Sequence, residues 1–431
     1  MNAYCAIDFG TSNSAVALPA PEGGVRLVEL EPGFFTMPTA VFYRADGPVH
    51  AEPVREYGRA AVAAYVDGLD GRLMRSMKSI LGSPLVEQTT DVGGGRGVRY
   101  VDVIAGYLRH LKALAERAAG APIQRAVIGR PVFFIDGEPL RDAQAQAALA
   151  AAAASVGFDE LHFQYEPIAA ALDHERHATH EQLVLVADIG GGTSDFSLVR
   201  VGPQRRLRAD RQGDILANHG VHIAGTDFDR RVELAAILPL FGFGAFGPPQ
   251  RGEPAREVPS GVYFDLATWH LINTVYVPSR VAELRQMRRF YADTRQHDRL
   301  MVVLKERLGH ALAAAAEQAK IGAATLGVAQ IDLSLVESGL GATLHEADAT
   351  ALLESDCERI VATARETLAL AGVPAAQVDA LYFTGGSTGL QSLVDRIAAC
   401  FPAARIVRGD RFASVAHGLG EHARRVFGPT A

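Results

Sequence analysis

Two short stretches of the sequence place a carboxylate just before a run of glycines and hydroxyls. The first is AIDFGTSNSAVAL, which holds Asp8, and the second is LVADIGGGTSDFSLV, which holds Asp188 and Asp195. Glycine lets backbone N–H groups approach phosphate oxygens because no Cβ intervenes, and neighbouring Thr and Ser hydroxyls add donors. Carboxylates alone would repel a polyphosphate, so their presence indicates a divalent metal such as Mg²⁺. The two stretches therefore predict a metal–nucleotide site.

The two stretches have the same order of parts, which indicates an internal repeat. In each, an apolar run leads into the acid and a second apolar run follows the glycines, as expected for a β-hairpin. A Walker-type loop is excluded, because no glycine of the chain is followed directly by lysine. A dinucleotide fingerprint needs a helix after the glycines, whereas FSLVRV has the pattern of a strand. For either copy alone, an ordinary hairpin with a glycine turn remains the alternative.

Around these stretches, strand and helix patterns alternate, which favours an α/β fold. The chain has 431 residues, too many for one ordinary core, so two lobes are expected. A helical pattern from Val54 to Leu81 carries Lys78 near its end. A second helix begins at Glu166, followed by a proline in its first turn, where the missing N–H costs nothing. The Gly- and Pro-rich residues 242–259 predict a loop insertion.

Composition excludes several classes of protein. The formal net charge of -7 argues against nucleic-acid binding, since such domains are usually basic. Cys5, Cys357 and Cys400 are few, odd in number and far apart, so neither a disulfide framework nor a cysteine metal site is supported. We find no signal-peptide pattern at the N-terminus and no uninterrupted apolar run of about 18 residues. We therefore expect a cytoplasmic protein with neither a membrane nor a nucleic-acid partner.

Five motifs, in order along the chain, resemble those of the actin–hexokinase–DnaK ATPase superfamily, and most closely the ATPase domain of DnaK-type heat-shock chaperones. They are AIDFGTSNSAVAL, YEPIAAAL, LVADIGGGTSDFSLV, GVHIAGTDFDRRV and YFTGGSTGLQSL. The resemblance implies a two-lobed actin-like ATPase fold, each lobe a mixed sheet with helices around a central nucleotide cleft. It implies a lobe I at residues 1–182 and a lobe II at 183–431, with a smaller subdomain at about 226–324.

The resemblance also implies roles for individual residues. Asp8 and Asp188 would hold Mg²⁺ mainly through water, and Asp195 would orient the attacking water or accept its proton. Lys78 would neutralise γ-phosphate charge, and Glu166 would act beside it. Thr193 is expected both in catalysis and in binding. The other nucleotide contacts that it implies are Gly10, Thr11, Ser12, Asn13, Gly190, Gly191 and Gly192 in the two hairpins, Gly225, Glu317 and Lys320 between the motifs, and Gly385, Gly386, Ser387 and Asp410 towards the adenosine.

The sequence departs from the family at two adenine-facing positions. Ile321 and Gly389 stand where the family carries arginines, which leaves base specificity open. A C-terminal peptide-binding domain is not expected either, and the short end of the chain is similar to truncated DnaK-like YegD proteins.

The expected function is that of a DnaK-like switch or chaperone that binds ATP or ADP with Mg²⁺ and hydrolyses ATP weakly. A client or regulatory protein would contact the lobe surfaces or residues 242–278. A small-molecule kinase, an actin-like filament ATPase and a nucleotide binder without turnover remain alternatives.

Overall fold

The computed structural model describes residues 3–46, 52–93, 95–135, 137–206, 208, 210–248, 254–269, 271–409 and 413–428. The chain divides into two compact units. The first unit is Met1–His222, Ala362–Thr388 and Asp395–Ala431, and the second is Ile223–Val361 and Gly389–Val394.

The strands and helices of the described residues alternate along much of the chain. The strands are β1 (Ala3–Phe9), β2 (Asn13–Pro19), β3 (Val25–Leu27), β4 (Thr36–Pro38), β5 (Ala40–Arg44), β6 (Arg55–Tyr57), β7 (Gly71–Arg75), β8 (Thr89–Asp91), β9 (Gly97–Arg99), β10 (Ile123–Arg130), β11 (Glu160–Tyr165), β12 (Gln182–Ile189), β13 (Ser194–Val201), β14 (Ile215–Val221), β15 (Val328–Asp332), β16 (Gly341–His345), β17 (Ala380–Thr384) and β18 (Arg405–Arg408). The α-helices are α1 (Gly58–Val66), α2 (Tyr100–Ala119), α3 (Pro139–Ser155), α4 (Glu166–His177), α5 (Gly225–Val232), α6 (Gly261–Leu266), α7 (Pro278–Gln286), α8 (Thr294–Lys305), α9 (Gly309–Leu326), α10 (Glu346–Ala371), α11 (Gln391–Ala399) and α12 (Ser414–Phe427).

Two sheets of the first unit repeat one topology. In the first sheet the order is β11-β10-β1-β2-β3, with β4 beside β2, and in the second it is β14-β13-β12-β17-β18. In both, three antiparallel strands continue into two parallel ones: β1 pairs β10 and β12 pairs β17 in the parallel sense. Each predicted glycine hairpin lies at the same place in its sheet, β1–β2 in one and β12–β13 in the other. The internal repeat predicted from the sequence is thus confirmed.

Two helices, α4 and α12, share one hydrophobic core with both of these sheets. Buried side chains of α4, such as Ile168, pack with Val127 of the first sheet, Val186 of the second and Leu419 of α12. A Cβ at Gly418 of α12 would lie 1.9 Å from a backbone oxygen of α4. Only glycine allows this approach, which fixes the helix that begins at Glu166 against its neighbour.

The helix predicted from Val54 to Leu81 is wrong except at Gly58–Val66, which forms α1. β6 precedes α1 and β7 follows it, and both pair antiparallel with β5. The sequence DGLDG, from Asp67 to Gly71, explains the break, because aspartate and glycine favour turns over helix interiors. Lys78 therefore lies on a short 3₁₀ turn, Met77–Ile80.

The second unit has its own core, built mainly from α8, α9 and the segments that precede them. The predicted loop at 242–259 forms no helix or strand in its described part apart from one bridge between Phe246 and Glu257. Val258 is nevertheless buried in this core. The segment is therefore anchored to the unit. None of the helices in the described ranges combines the length and apolarity needed to cross a membrane.

Candidate functional site

The first glycine turn joins β1 to β2 and is held from outside by Thr39. A Cβ at Gly10 would lie 2.1 Å from the Asn13 oxygen, so the tight turn requires glycine. The buried Thr39 hydroxyl donates to the Gly10 carbonyl (2.8 Å) and also bonds the Ser14 hydroxyl (2.8 Å). The Thr39 N–H donates to the Ser12 carbonyl (2.9 Å). Thr39 thus fixes both ends of the turn, and sequence reasoning missed it because it lies outside the motif.

The second turn joins β12 to β13 and closes on its own backbone. The Gly190 N–H donates to the Thr193 carbonyl at 3.0 Å. A Cβ at Gly191 would lie 3.0 Å from the Ser12 hydroxyl oxygen of the first turn. The two predicted phosphate turns therefore face each other within the first unit. Thr11 lies in the first turn and Gly192 in the second, and Asn13 is the first residue of β2.

The turn after β17 touches the second hairpin. Gly385 has φ +87°, and a Cβ there would lie 2.4 Å from the Ile189 oxygen and 2.7 Å from Asp188 Oδ1. The Ser387 hydroxyl donates to the Gly190 carbonyl at 2.6 Å. Gly386 follows Gly385 in the same turn. The glycines predicted to face adenosine are therefore packed directly on the second phosphate turn.

Four carboxylates and one lysine converge on these turns. Asp188 lies directly opposite Asp195 in the β12–β13 ladder. The Lys78 ammonium donates to Glu166 Oε1 at 2.5 Å, and their side chains are only 9% and 17% exposed. Desolvation is the main cause that raises the pKa of Asp8 to about 8, and the negative charge of Glu166 is the second. Desolvation is also the main cause that raises the pKa of Asp188 to about 7, and the negative charge of Asp195 is the second. The group carries more negative charge than Lys78 can balance.

Glycines of the strands make room for two of these carboxylates. A Cβ at Gly129 of β10 would lie 3.2 Å from Glu166 Cγ. A Cβ at Gly220 of β14 would lie 2.3 Å from Asp195 Oδ1. Neither Gly129 nor Gly220 stands out in the sequence, since an isolated glycine in a strand carries only a weak signal of close approach.

The second unit holds three of the other predicted residues. Gly225 is the buried first residue of α5. Glu317 is exposed on α9, one turn before Lys320. The Lys320 ammonium pairs with Asp229 Oδ1 at 2.6 Å, which the sequence analysis did not anticipate. Desolvation raises the pKa of Asp229 to about 6, although Lys320 opposes the shift. Asp410 lies outside the described residues.

The chemistry of the donor set in the first unit suits a hard divalent cation. Mg²⁺ is usually held by one or two carboxylates together with waters and phosphate oxygens. Asp8 and Asp188 supply two such carboxylates beside glycine turns that leave backbone groups accessible. Within the described ranges, no group of three or more His, Cys, Asp or Glu side chains is placed to hold a metal ion.

Comparison with known proteins identifies relatives over the half of the chain that contains both hairpins. The family model described as "Hsp70 protein" matches residues 4–235. A "Chaperone protein DnaK" from Thermosipho melanesiensis is 32% identical over 229 residues, covering 52% of this chain and 34% of the relative. A "Chaperone protein HscA homolog" from Aromatoleum aromaticum is 33% identical over 255 residues, covering 54% of this chain and 38% of the relative.

The chain spans little more than a third of the length of these curated relatives. The matched region nevertheless takes in β1 to β14, with both glycine hairpins, Lys78 and Glu166. Because the family model covers more than half of the 431 residues, the chain belongs to the Hsp70 family.

Proposed function

We propose that this chain binds Mg-ATP between the two glycine turns of the first unit and hydrolyses it slowly. The observation that carries the proposal is the approach of Gly191 to the Ser12 hydroxyl, which sets two phosphate-type turns face to face. Asp8 and Asp188 flank these turns, with Lys78 as the cation of the group. Backbone N–H groups and hydroxyls suit phosphate oxygens, and the acids suit the metal that accompanies them.

The raised pKa values of Asp8 and Asp188 support a site for Mg²⁺. Desolvated carboxylates near one another disfavour their own ionised forms, and a neighbouring cation favours them. We propose that Asp8 and Asp188 hold Mg²⁺ mostly through water. When bound, the metal would supply neutralisation of charge on the phosphate oxygens.

The protein side chains around the turns have distinct proposed roles. Lys78 would neutralise developing charge at the γ-phosphate, and Glu166 positions its ammonium through their 2.5 Å hydrogen bond. Asp195 would orient the attacking water or take its proton. Thr11, Ser12 and Thr193 would donate hydroxyl hydrogen bonds to the phosphates, with Gly10, Asn13, Gly190 and Gly192 shaping the turns. The place of Asp195 directly opposite Asp188 in the second hairpin supports its part in this division.

The adenosine end of the proposed site depends on Gly385, Gly386 and Ser387, which pack on the second turn. Glu317 and Lys320 are proposed to bind the base and ribose, Gly225 to lie near the nucleotide, and Asp410 to contribute a last acidic contact. Because the Lys320 ammonium forms an ion pair with Asp229, a ribose hydroxyl would have to share that ammonium with the carboxylate. Ile321 is 44% exposed, so it offers adenine an apolar contact without a charge.

For the whole protein, we propose a DnaK-like nucleotide switch of the cytoplasm with lobes at residues 1–182 and 183–431, the second including a subdomain at about 226–324. A client or regulatory protein is proposed to contact the lobe surfaces or residues 242–278. Phe246, Val277 and Phe264, which are 55%, 48% and 39% exposed, are large apolar groups available for contact in the described part of that segment. Because Val258 is buried, Phe246→Ser tests this contact better than a deletion.

The test is to measure Mg-ATP affinity and single-turnover hydrolysis on the same samples. Lys78→Met combined with Glu166→Gln removes the buried pair without leaving one charge alone, and should slow turnover by roughly 10²-fold or more while the Kd changes by less than about tenfold. Lys112→Met with Glu116→Gln is the matched control, since Lys112 also pairs with a glutamate (2.6 Å) but on α2.

Failure of the wild-type chain to bind Mg-ATP would overturn the proposal. Tight binding without turnover would instead support a nucleotide binder that does not hydrolyse ATP.

A further inference from the structure

A second pocket lies in the second unit, apart from every residue assigned to the nucleotide. Its volume is about 330 Å³, within the range of small-molecule sites. Five of its lining residues are apolar or aromatic and three carry positive charge. The first group is Tyr276, Pro278, Val281, Ala282 and Leu304, and the second is Arg285, Lys305 and Arg307.

The charge of this pocket is of one sign. Among the described residues that line it there is no acidic side chain. Lys305 pairs with the neighbouring Glu306 at 2.8 Å, but that carboxylate lies outside the lining. Arg285 projects from the last turn of α7. Cations beside apolar side chains in one pocket are complementary to a molecule that carries a negative group on an apolar body.

Arg307 occupies a position where glycine is usual. α8 ends at Lys305, and the Leu308 N–H returns to the Val303 carbonyl at 2.9 Å, as in a Schellman motif. Arg307 is the residue of that motif in the left-handed region, with φ +54°. Glycine adopts this conformation without steric cost, whereas arginine does not. The strained backbone therefore presents a guanidinium at the pocket where the helix end alone would favour glycine.

The pocket wall is tied to the following helix. The Tyr276 hydroxyl accepts a hydrogen bond from the N–H of Gly309, the first residue of α9, at 2.8 Å. A Cβ at Gly309 would lie 2.7 Å from that hydroxyl oxygen, so the contact is tight. Trp269, the one tryptophan of the sequence, packs on His310 with ring centroids 4.9 Å apart. Its fluorescence therefore reports on the residue next to Gly309.

We propose that this pocket binds a small amphipathic anion, with a carboxylate or phosphate group held by Arg285, Lys305 and Arg307 and an apolar portion on Tyr276, Val281 and Leu304. This site is independent of the nucleotide proposal, because none of its lining residues is assigned to the nucleotide.

The experiment titrates the full chain with decanoate and with decyl phosphate, following Trp269 fluorescence and confirming the affinity by calorimetry. Decanol, which lacks the charge, and inorganic phosphate, which lacks the apolar portion, should each bind at least tenfold more weakly. The tighter binder of decanoate and decyl phosphate then shows whether the pocket prefers a carboxylate or a phosphate group.

Arg307→Gly is the decisive variant, because it removes the cation and relieves the left-handed strain together. It should weaken binding at least tenfold while the thermal midpoint stays the same or rises. Arg307→Lys should retain most of the affinity, and Arg289→Ala, a nearby arginine that does not line the pocket, should bind as the wild type does. Binding that is unchanged in Arg307→Gly, or no binding of either anion by the wild type, overturns the proposal.

Discussion

The two glycine hairpins of the first unit have one topology but different supports. The β1–β2 turn is held by Thr39, which bonds the carbonyls of Gly10 and Ser12. The β12–β13 turn closes through its own Gly190 N–H and is held by Ser387. A duplicated hairpin can therefore keep its shape while the segment that holds it comes from a different part of the chain.

The hairpins also differ in the residue that faces the acid. Asp8 lies opposite Ala15, whereas Asp188 lies opposite Asp195. The second hairpin thus has a carboxylate that the first lacks, and Gly220 leaves space for it. In the proposed function, both hairpins would hold phosphate and metal, while the chemistry at the attacking water would belong to the second. Each of the following predictions would sharpen or break this distinction.

Asp195→Asn removes the added charge of the second hairpin at constant size. We expect single-turnover hydrolysis of ATP to fall by roughly 10²- to 10⁴-fold, because a positioned carboxylate base is lost. Nucleotide affinity should change by only a few fold. Asp102→Asn, at an exposed acid of α2, is the control and should leave hydrolysis unchanged. Wild-type turnover in Asp195→Asn would remove the proposed difference between the hairpins.

Gly385→Ala tests how closely the turn after β17 supports the second hairpin. Gly385 has φ +87°, so an alanine there would strain the backbone. Its Cβ would also lie 2.4 Å from the Ile189 backbone oxygen, which is a steric clash. We expect unfolding free energy to fall by about 3 kcal/mol or more in urea titrations. Gly372→Ala, at φ +65° with open space around it, should lose only about 1 kcal/mol from strain. Equal losses would mean that the close approach contributes nothing.

The sequence predicted the fold class and the repeated hairpin well. The α/β fold of the actin-like ATPase type is confirmed, as is the repeat of the hairpin, because strand periodicity and glycine turns are local properties. The helix across Val54 to Leu81 failed because the turn residues at 67–71 were outweighed by the surrounding apolar pattern.

Supporting residues could not be predicted in the same way. Thr39 bonds residues 25 and 29 positions away, and Gly418 packs against the backbone of α4. Gly220 of β14 leaves space for Asp195 of the paired strand β13. Their types are ordinary at their own positions, so only the packed structure reveals their partners. The ion pair of Lys320 with Asp229 is of the same kind, because it depends on how α9 packs against α5.

His422 is predicted to make the unfolding free energy depend on pH. It lies beside β11, the edge strand of the first sheet that leads into Glu166. The His422 ring forms a hydrogen bond with the Gln164 side-chain amide at 3.1 Å. Burial is the main cause that lowers the pKa of His422 to about 4, and the nearby charges of Arg425 and His162 lower it further. The unfolded chain, with a histidine pKa near 6.5, binds more protons between these values, so unfolding free energy falls as pH drops from about 6.5 to about 4. The loss should reach about 3 kcal/mol.

The measurement is urea unfolding of wild type and His422→Gln at several pH values. The variant should show a flatter profile below pH 6.5 and differ little from wild type at pH 7.5. Parallel profiles for the two proteins would show that the pH dependence arises elsewhere in the first unit.

The smallest effects should come from removing one support of each turn. Thr39→Val keeps the shape of a fully buried side chain but leaves the Gly10 carbonyl and the Ser14 hydroxyl without their partner, which should cost about 2 kcal/mol of unfolding free energy. Ser387→Ala removes one bond from a half-buried hydroxyl, where water can replace it, and should cost about 1 kcal/mol or less. Each variant should also weaken ATP binding a few fold, because the turn it releases is proposed to hold phosphate. Urea unfolding and nucleotide titration on both variants measure these effects. If Ser387→Ala lowered the unfolding free energy more than Thr39→Val, the second turn would depend on support from outside the hairpin more than the first. That order is the reverse of the one predicted for the two hairpins.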